Sequence, residues 1–159
     1  YLFQQADWEH FTGAEFLSGD GPLVEMVRKA VLPLEHSGLM DLIGPEQTVT
    51  SEVTLLHTPG HTPGSVTVLV QSAGASALLM GDAAHHPLQF TQTDWSPLVD
   101  VDATLSARSR RALVAEALRR DAYVAGGHFL AADPTFGKVI QFEGRTVWRG
   151  APLGDVEKA

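Results

Sequence analysis

The sequence predicts a mixed α/β fold, and three observations carry that reading. Short apolar runs at residues 53–57, 66–71 and 77–80 are bounded by Pro, Gly and Ser, the pattern of buried strands between turns. Residues 103–120 place Leu105, Leu113, Ala117 and Leu118 at helical spacing with arginines between them, which describes an amphipathic helix. The chain has 159 residues and is 44% hydrophobic, so it can bury a core of its own.

In chain order, residues 1–3 read as the end of a strand. Asp7 should cap a short helix through residues 8–11, its carboxylate accepting the first free backbone N–H groups. Trp8, Phe11 and Phe16 read as core packing, with a substrate pocket as the other use for them. Residues 18–22 form a turn. Leu23, Val27, Ala30, Val31 and Leu34 then repeat at helical spacing. That helix should stop near Pro33, which has no N–H and clashes with the preceding turn. His36 falls in the loop beyond and reads as a surface residue. Residues 42–46 turn the chain into a strand at 48–52, and residues 53–57 form the next.

This last strand delivers the chain to Thr58-Pro59-Gly60-His61-Thr62-Pro63-Gly64-Ser65. Each Pro-Gly pair stiffens a corner, so His61 is held between two defined turns at the end of a strand. A metal ligand needs a ring that keeps its orientation, and this position suits one. His57, just before the motif, is the competitor, and it reads as a hydrogen-bonding or packing residue. Residues 66–71 and 77–80 form a hairpin whose second strand emits Asp82 at its end. A carboxylate leaving a buried strand must be paired or bind a metal. His85 and His86 follow, and the loop at residues 91–97, with Trp95, is placed to cover a cleft. Asp102 should cap the long helix. After it, residues 123–125 read as a strand that runs into Gly126-Gly127-His128-Phe129, where two glycines would let the backbone approach a cofactor. Phe129, Phe136 and the loop at 131–137 are candidates for another pocket wall. Residues 138–142 and 145–148 read as a hairpin turning at Glu143-Gly144, with a loose tail from Gly150.

The runs TPGHTPGS at 58–65, LLMGD at 78–82 and YVAGGHF at 123–129, in that order and spacing, resemble the metallo-β-lactamase fold family. The likeness extends over nearly the whole chain, while the family's HxHxDH motif does not occur between Tyr1 and Ala159. The resemblance therefore implies the C-terminal half of an αββα sandwich, a partial domain over residues 1–159 lacking the HxHxDH half. That half would supply one mainly antiparallel or mixed sheet covered by helices. It further implies His61 as a terminal ligand on one metal, Asp82 as the carboxylate bridging two metals, and His128 as the ligand on the second. Zinc is the expected metal, with iron, manganese or cobalt as alternatives of compatible ligand chemistry. Such a binuclear centre would activate a hydroxide to cleave an ester, phosphotriester or lactone in a small-molecule substrate. Lactonases of this fold carry a tyrosine three residues after the bridging Asp, where this sequence has His85. That histidine, followed by Gln89-Phe90, looks more like the methyl parathion hydrolase-like branch. Asp82 and His85 are thus the candidate catalytic residues; His85 would orient substrate, shuttle a proton, or merely hydrogen-bond beside the ligands.

Composition narrows the classes further. The net charge of −8 argues against a nucleic-acid surface. Arg108, Arg110, Arg111, Arg119 and Arg120 fall on the long helix and read as its solvated face. With no cysteine, only histidine and carboxylate remain as metal ligands. No apolar run approaches the roughly 18 residues of a membrane span, so no membrane partner is expected and a cytoplasmic location is the default. No GxSxG elbow is present, and Ser65 has no evident carboxylate to orient His61, which disfavours a serine hydrolase. The rival class is a non-catalytic half-domain, an assembly or binding module. An uncovered apolar sheet face on such a half would favour association, including a homodimer.

Overall fold

A computed structural model describes residues 1–129 and 134–151. The N-terminal segment builds a small unit of its own. Strand β1 (Leu2–Gln4) leads into helices α1 (Gln5–Thr12), α2 (Ala14–Leu17) and α3 (Pro22–Met26), and strand β2 (Asp41–Ile43) returns parallel to β1. Between α3 and β2 the chain stays helical, first as a π turn (Val27–Val31) and then as a 3-10 turn (Leu32–His36). Pro33 therefore tightens the helix instead of ending it, because a proline in the first turn of a new helical segment lacks only an N–H that would have no partner there. The turn expected at residues 42–46 is in part a strand. Trp8 and Phe11 line an apolar cavity of about 250 Å3 with Phe3, Leu23, Met26 and Val27.

The rest forms one seven-stranded sheet whose strands follow chain order: β3 (Gln47–Thr48), β4 (Val53–His57), β5 (Val66–Ser72), β6 (Ala75–Leu79), β7 (Tyr123–Ala125), β8 (Phe136–Phe142) and β9 (Arg145–Gly150). Only β6 and β7 pair in parallel; every other neighbour is antiparallel. A parallel pair needs a crossover, and helix α4 (Ala103–Arg120) lies within that connection. A strand over residues 48–52 does not form. The ladder stops at Thr48, and Val49 and Thr50 both donate to the Val53 carbonyl in a tight turn.

Leu69, Leu78, Val124 and Val139, from four adjacent strands, pack with Leu113, Val114 and Ala117 of α4 in a single cluster. Leu78 and Val124 are fully buried and face each other across the parallel pair, each contributing about 2 kcal/mol by leaving water. Alternation sends Val66, Val68, Val70 and Leu79 to the opposite face, where they stay partly exposed. The mixed sheet with helices on one face and an apolar second face is thus the architecture that the sequence led us to expect. Among the described residues, no helix is long and apolar enough to cross a membrane.

Candidate functional site

Strand direction brings distant residues to one edge of the sheet. β5 begins at that edge because it runs antiparallel to β6, and β6 and β7 both end there because they are parallel. The loop before β5, the residues after β6 and those after β7 therefore meet. His61, Asp82 and His128 lie on these three segments. His61 Nε2 is 3.4 Å from Asp82 Oδ2, and His128 Nε2 is 3.0 Å from Asp82 Oδ1. His85 sits between the two imidazoles. Its ring stacks on that of His128 at 4.7 Å and lies 5.1 Å from that of His61.

The His61 loop is braced on two sides. Asp7, expected to cap α1, does not: Gln4 caps the helix through its side-chain oxygen. The Asp7 carboxylate instead accepts from Gly64 N at 2.6 Å and Thr62 Oγ1 at 2.9 Å, tying the loop to the N-terminal unit. On the other side the loop presses against the start of α4. A Cβ on Gly60, whose φ is +136°, would sit 2.2 Å from the Ser106 backbone nitrogen, so no other residue fits without displacement. Asp102 N donates to Gly60 O, Val101 N to His61 O, and Ser109 Oγ to Pro59 O. Asp102 also caps α4, accepting from Leu105 N at 2.8 Å as expected.

His61 Nδ1 lies 3.1 Å from Asp100 Oδ1, and the Asp100 side chain is fully buried. A carboxylate accepts, so Nδ1 is the nitrogen that donates to Asp100 and Nε2 is the one turned toward Asp82. Nε2 and the carboxylate oxygen stand 3.4 Å apart, a spacing that a proton or a cation between them stabilises. This arrangement of donors fits a divalent ion. Two ligands 2.0–2.1 Å from a tetrahedral ion stand about 3.3 Å apart, close to both spacings around Asp82. The fit is partial: among the described residues no group of three or more His, Cys, Asp and Glu has the geometry of a metal site. Each imidazole pairs with its own oxygen of Asp82, so this chain offers two donors to each of two positions.

His85 is harder to protonate than an ordinary histidine. Burial pushes its pKa down, and the neighbouring His128 and His61 add to that, against the opposite pull of Asp82 and Asp100. Its Nδ1 is buried with no hydrogen-bond partner among the described residues. Gln89 fixes the backbone here, its Oε1 accepting from His85 N and His86 N.

Several expectations change. Arg110, read as part of a solvated face, is 1% exposed, and its guanidinium is bonded on every side within the fold. The space left by Gly126 is filled by the Phe129 ring, 2.6 Å from where a Cβ would stand, so that glycine serves packing and not a cofactor. His57 stays out of the cluster and contacts the Pro63 carbonyl at 2.9 Å, the hydrogen-bonding role expected of it. It lines a hollow of about 510 Å3 between β4 and α4 that contains none of the four clustered residues. His36 is exposed, as expected. Of the pocket wall expected at 131–137, residues 131–133 lie outside the described residues, as does the tail beyond Ala151. Asp100 and Arg110 were not singled out as functional by sequence reasoning. A signal for Arg110 existed, because it keeps helical register with the buried Leu113 and Ala117.

For the mixed sheet and its covering helices, comparison with solved structures shows the metallo-β-lactamase fold. A hydrolase of the β-lactamase superfamily, AbOPH, superposes with a TM-score of 0.80 over 96% of this chain and 55% of its own, at 17% identity. A probable metal-dependent hydrolase from Staphylococcus aureus gives 0.69 over 96% and 53%, at 16% identity. AidC, a dizinc quorum-quenching lactonase in complex with a product, gives 0.68 over 94% and 48%, at 16% identity. The chain spans about half the length of the structures it matches. No family model matches the sequence, and no curated protein matches it.

Proposed function

We propose that the whole protein is a metal-dependent hydrolase and that this chain supplies half of its binuclear centre. The observation behind the proposal is the pairing of one carboxylate with two imidazoles, one of which is held through its Nδ1 by the buried Asp100. His61 and His128 would each hold an ion through Nε2, with Asp82 between the two. When bound, two divalent ions, zinc by default, would supply a hydroxide at neutral pH for hydrolysis of an ester, phosphotriester or lactone. The solved relatives support this direction, since they include metal-dependent hydrolases and lactonases.

The chain's own residues do the rest. Asp100 keeps the proton on His61 Nδ1 and fixes the ring plane. His85, stacked on His128 and with its pKa lowered by burial, would accept or return a proton at the reacting group. The test is metal content in the full-length protein. Two ions per chain are expected in the wild type, with the pair lost in Asp82→Ala; unchanged stoichiometry in that variant refutes the assignment. His85→Phe should lower turnover of an aryl ester, phosphotriester or lactone more than metal content. Loss of both together would make His85 a ligand. A second reading draws on the incomplete donor set: a full-length protein with no metal and no turnover would be a binding module on this fold.

A further inference from the structure

Arg110 bonds to several of the segments around the cluster. Its Nε donates to Ala83 O at 2.9 Å, the carbonyl next to Asp82. Its Nη1 donates at 2.6 Å to both Thr93 O and Trp95 O. Its Nη2 donates to Ser106 Oγ at 3.0 Å and faces Asp100 Oδ2 at 3.7 Å. Trp95 O also accepts from Gln89 Nε2 at 2.7 Å, and Gln89 holds the backbone of His85 and His86. One planar guanidinium thus lies one residue from Asp82, one carboxylate from His61 and one amide from His85. Both Arg110 and Asp100 are buried, so neither charge is compensated by water.

We propose that Arg110 is the positioning residue of the centre: a buried fork on α4 that sets the orientation of His61 through Asp100 and holds the end of the Asp82 strand in register with it. The flat, five-donor geometry is what the role requires. A lysine could replace the charge but could not reach Ala83, Thr93, Trp95 and Ser106 together. This rests on reading His61 and Asp82 as ligands. Wild-type protein that binds no metal would sink that reading, whereas metal binding that ignores Arg110 would sink this one.

The experiment measures zinc affinity of the full-length protein by competition with a chelator. Circular dichroism reports folding, and the exchange of the His61 Nδ1 proton is followed by NMR. Arg110→Lys should weaken zinc affinity by about tenfold to a hundredfold, the usual effect of losing a partner that orients a ligand. It should also speed exchange of the Nδ1 proton while the protein stays folded. Arg108→Lys, on the exposed part of the same helix, should change neither. Combined with Asp100→Asn, the effect of Arg110→Lys on affinity should be far less than the product of the two, because both act through one imidazole. A folded Arg110→Lys protein with wild-type affinity, or full multiplicativity in the double variant, overturns the proposal. If Arg110→Lys does not fold, Asp100→Asn carries the test, since it keeps side-chain volume while removing the charge that Arg110 faces. A folded Asp100→Asn protein must then lose affinity about tenfold or more, and wild-type affinity overturns the proposal.

Discussion

His61 and His128 each approach a different oxygen of Asp82, at 3.4 and 3.0 Å, but they are built into the fold in different ways. The His61 side chain is 18% exposed, with its second nitrogen against a fully buried carboxylate. Its loop is pinned by Asp7, by the start of α4 and by the Thr62–Ser65 hydroxyl pair. The His128 side chain is 51% exposed and is positioned by Asp82 and by stacking on His85. One imidazole therefore arrives pre-oriented, while the other has its direction set largely inside the cluster. Pre-orientation lowers the reorganisation needed to hold an ion, so under the proposed function the His61 side would be the higher-affinity half.

The strongest way to break this comparison is to push the braced side out of place. Gly60→Ala puts a methyl into the backbone of Ser106 and a side chain at φ +136°. Overpacking and backbone strain together should cost about 3 kcal/mol or more, read as a lower midpoint in denaturant. A variant with wild-type stability would show that the loop is not held against α4. The two histidines themselves give the next largest contrast. His61→Ala strands the buried Asp100 oxygen and should destabilise the metal-free protein by about 1–3 kcal/mol. His128→Ala removes a half-exposed ring and should stay within about 0.5 kcal/mol of the wild type. Equal losses would remove the distinction between a braced and an unbraced histidine.

The same contrast explains what was legible in the sequence. The TPGHTPGS run marks His61 because two Pro-Gly corners are local signals, and the ends of the apolar strands at residues 66–80 and 123–125 mark Asp82 and His128 in the same way. Long, periodic elements were read well, and α4 runs from Ala103 to Arg120 as its spacing implied. The bracing was not legible, because it is made of long-range contacts. Asp7 reaches Gly64, Asp100 reaches His61 and Arg110 reaches Ala83 across stretches of chain with no pattern linking them. Asp7 looked like a helix cap because a carboxylate in a first turn often is one, but Gln4 already occupied that role. Arg110 looked solvated because arginines mostly are; only its register with Leu113 and Ala117 hinted otherwise.

The smallest effect tests whether the bracing depends on the whole of α4 or on its first turns. Glu116, in the second half of the helix, accepts from Arg119 and Arg120, and the Arg119 hydrogen bond above all holds its pKa at about 2, well below the usual carboxylate value. A depressed carboxylate pKa adds stability above the pKa of the unfolded chain, and that stability fades as pH falls toward about 2. Glu116→Gln should therefore lower stability at neutral pH, and the difference from the wild type should vanish as pH approaches about 2. Because Arg119 is largely in water, the neutral-pH loss should be no more than about 1 kcal/mol. Zinc affinity should not change, since Glu116 touches neither Asp100 nor Arg110. If affinity falls together with stability, the orientation of His61 follows the overall firmness of α4, and the contacts of its first turns lose their special standing.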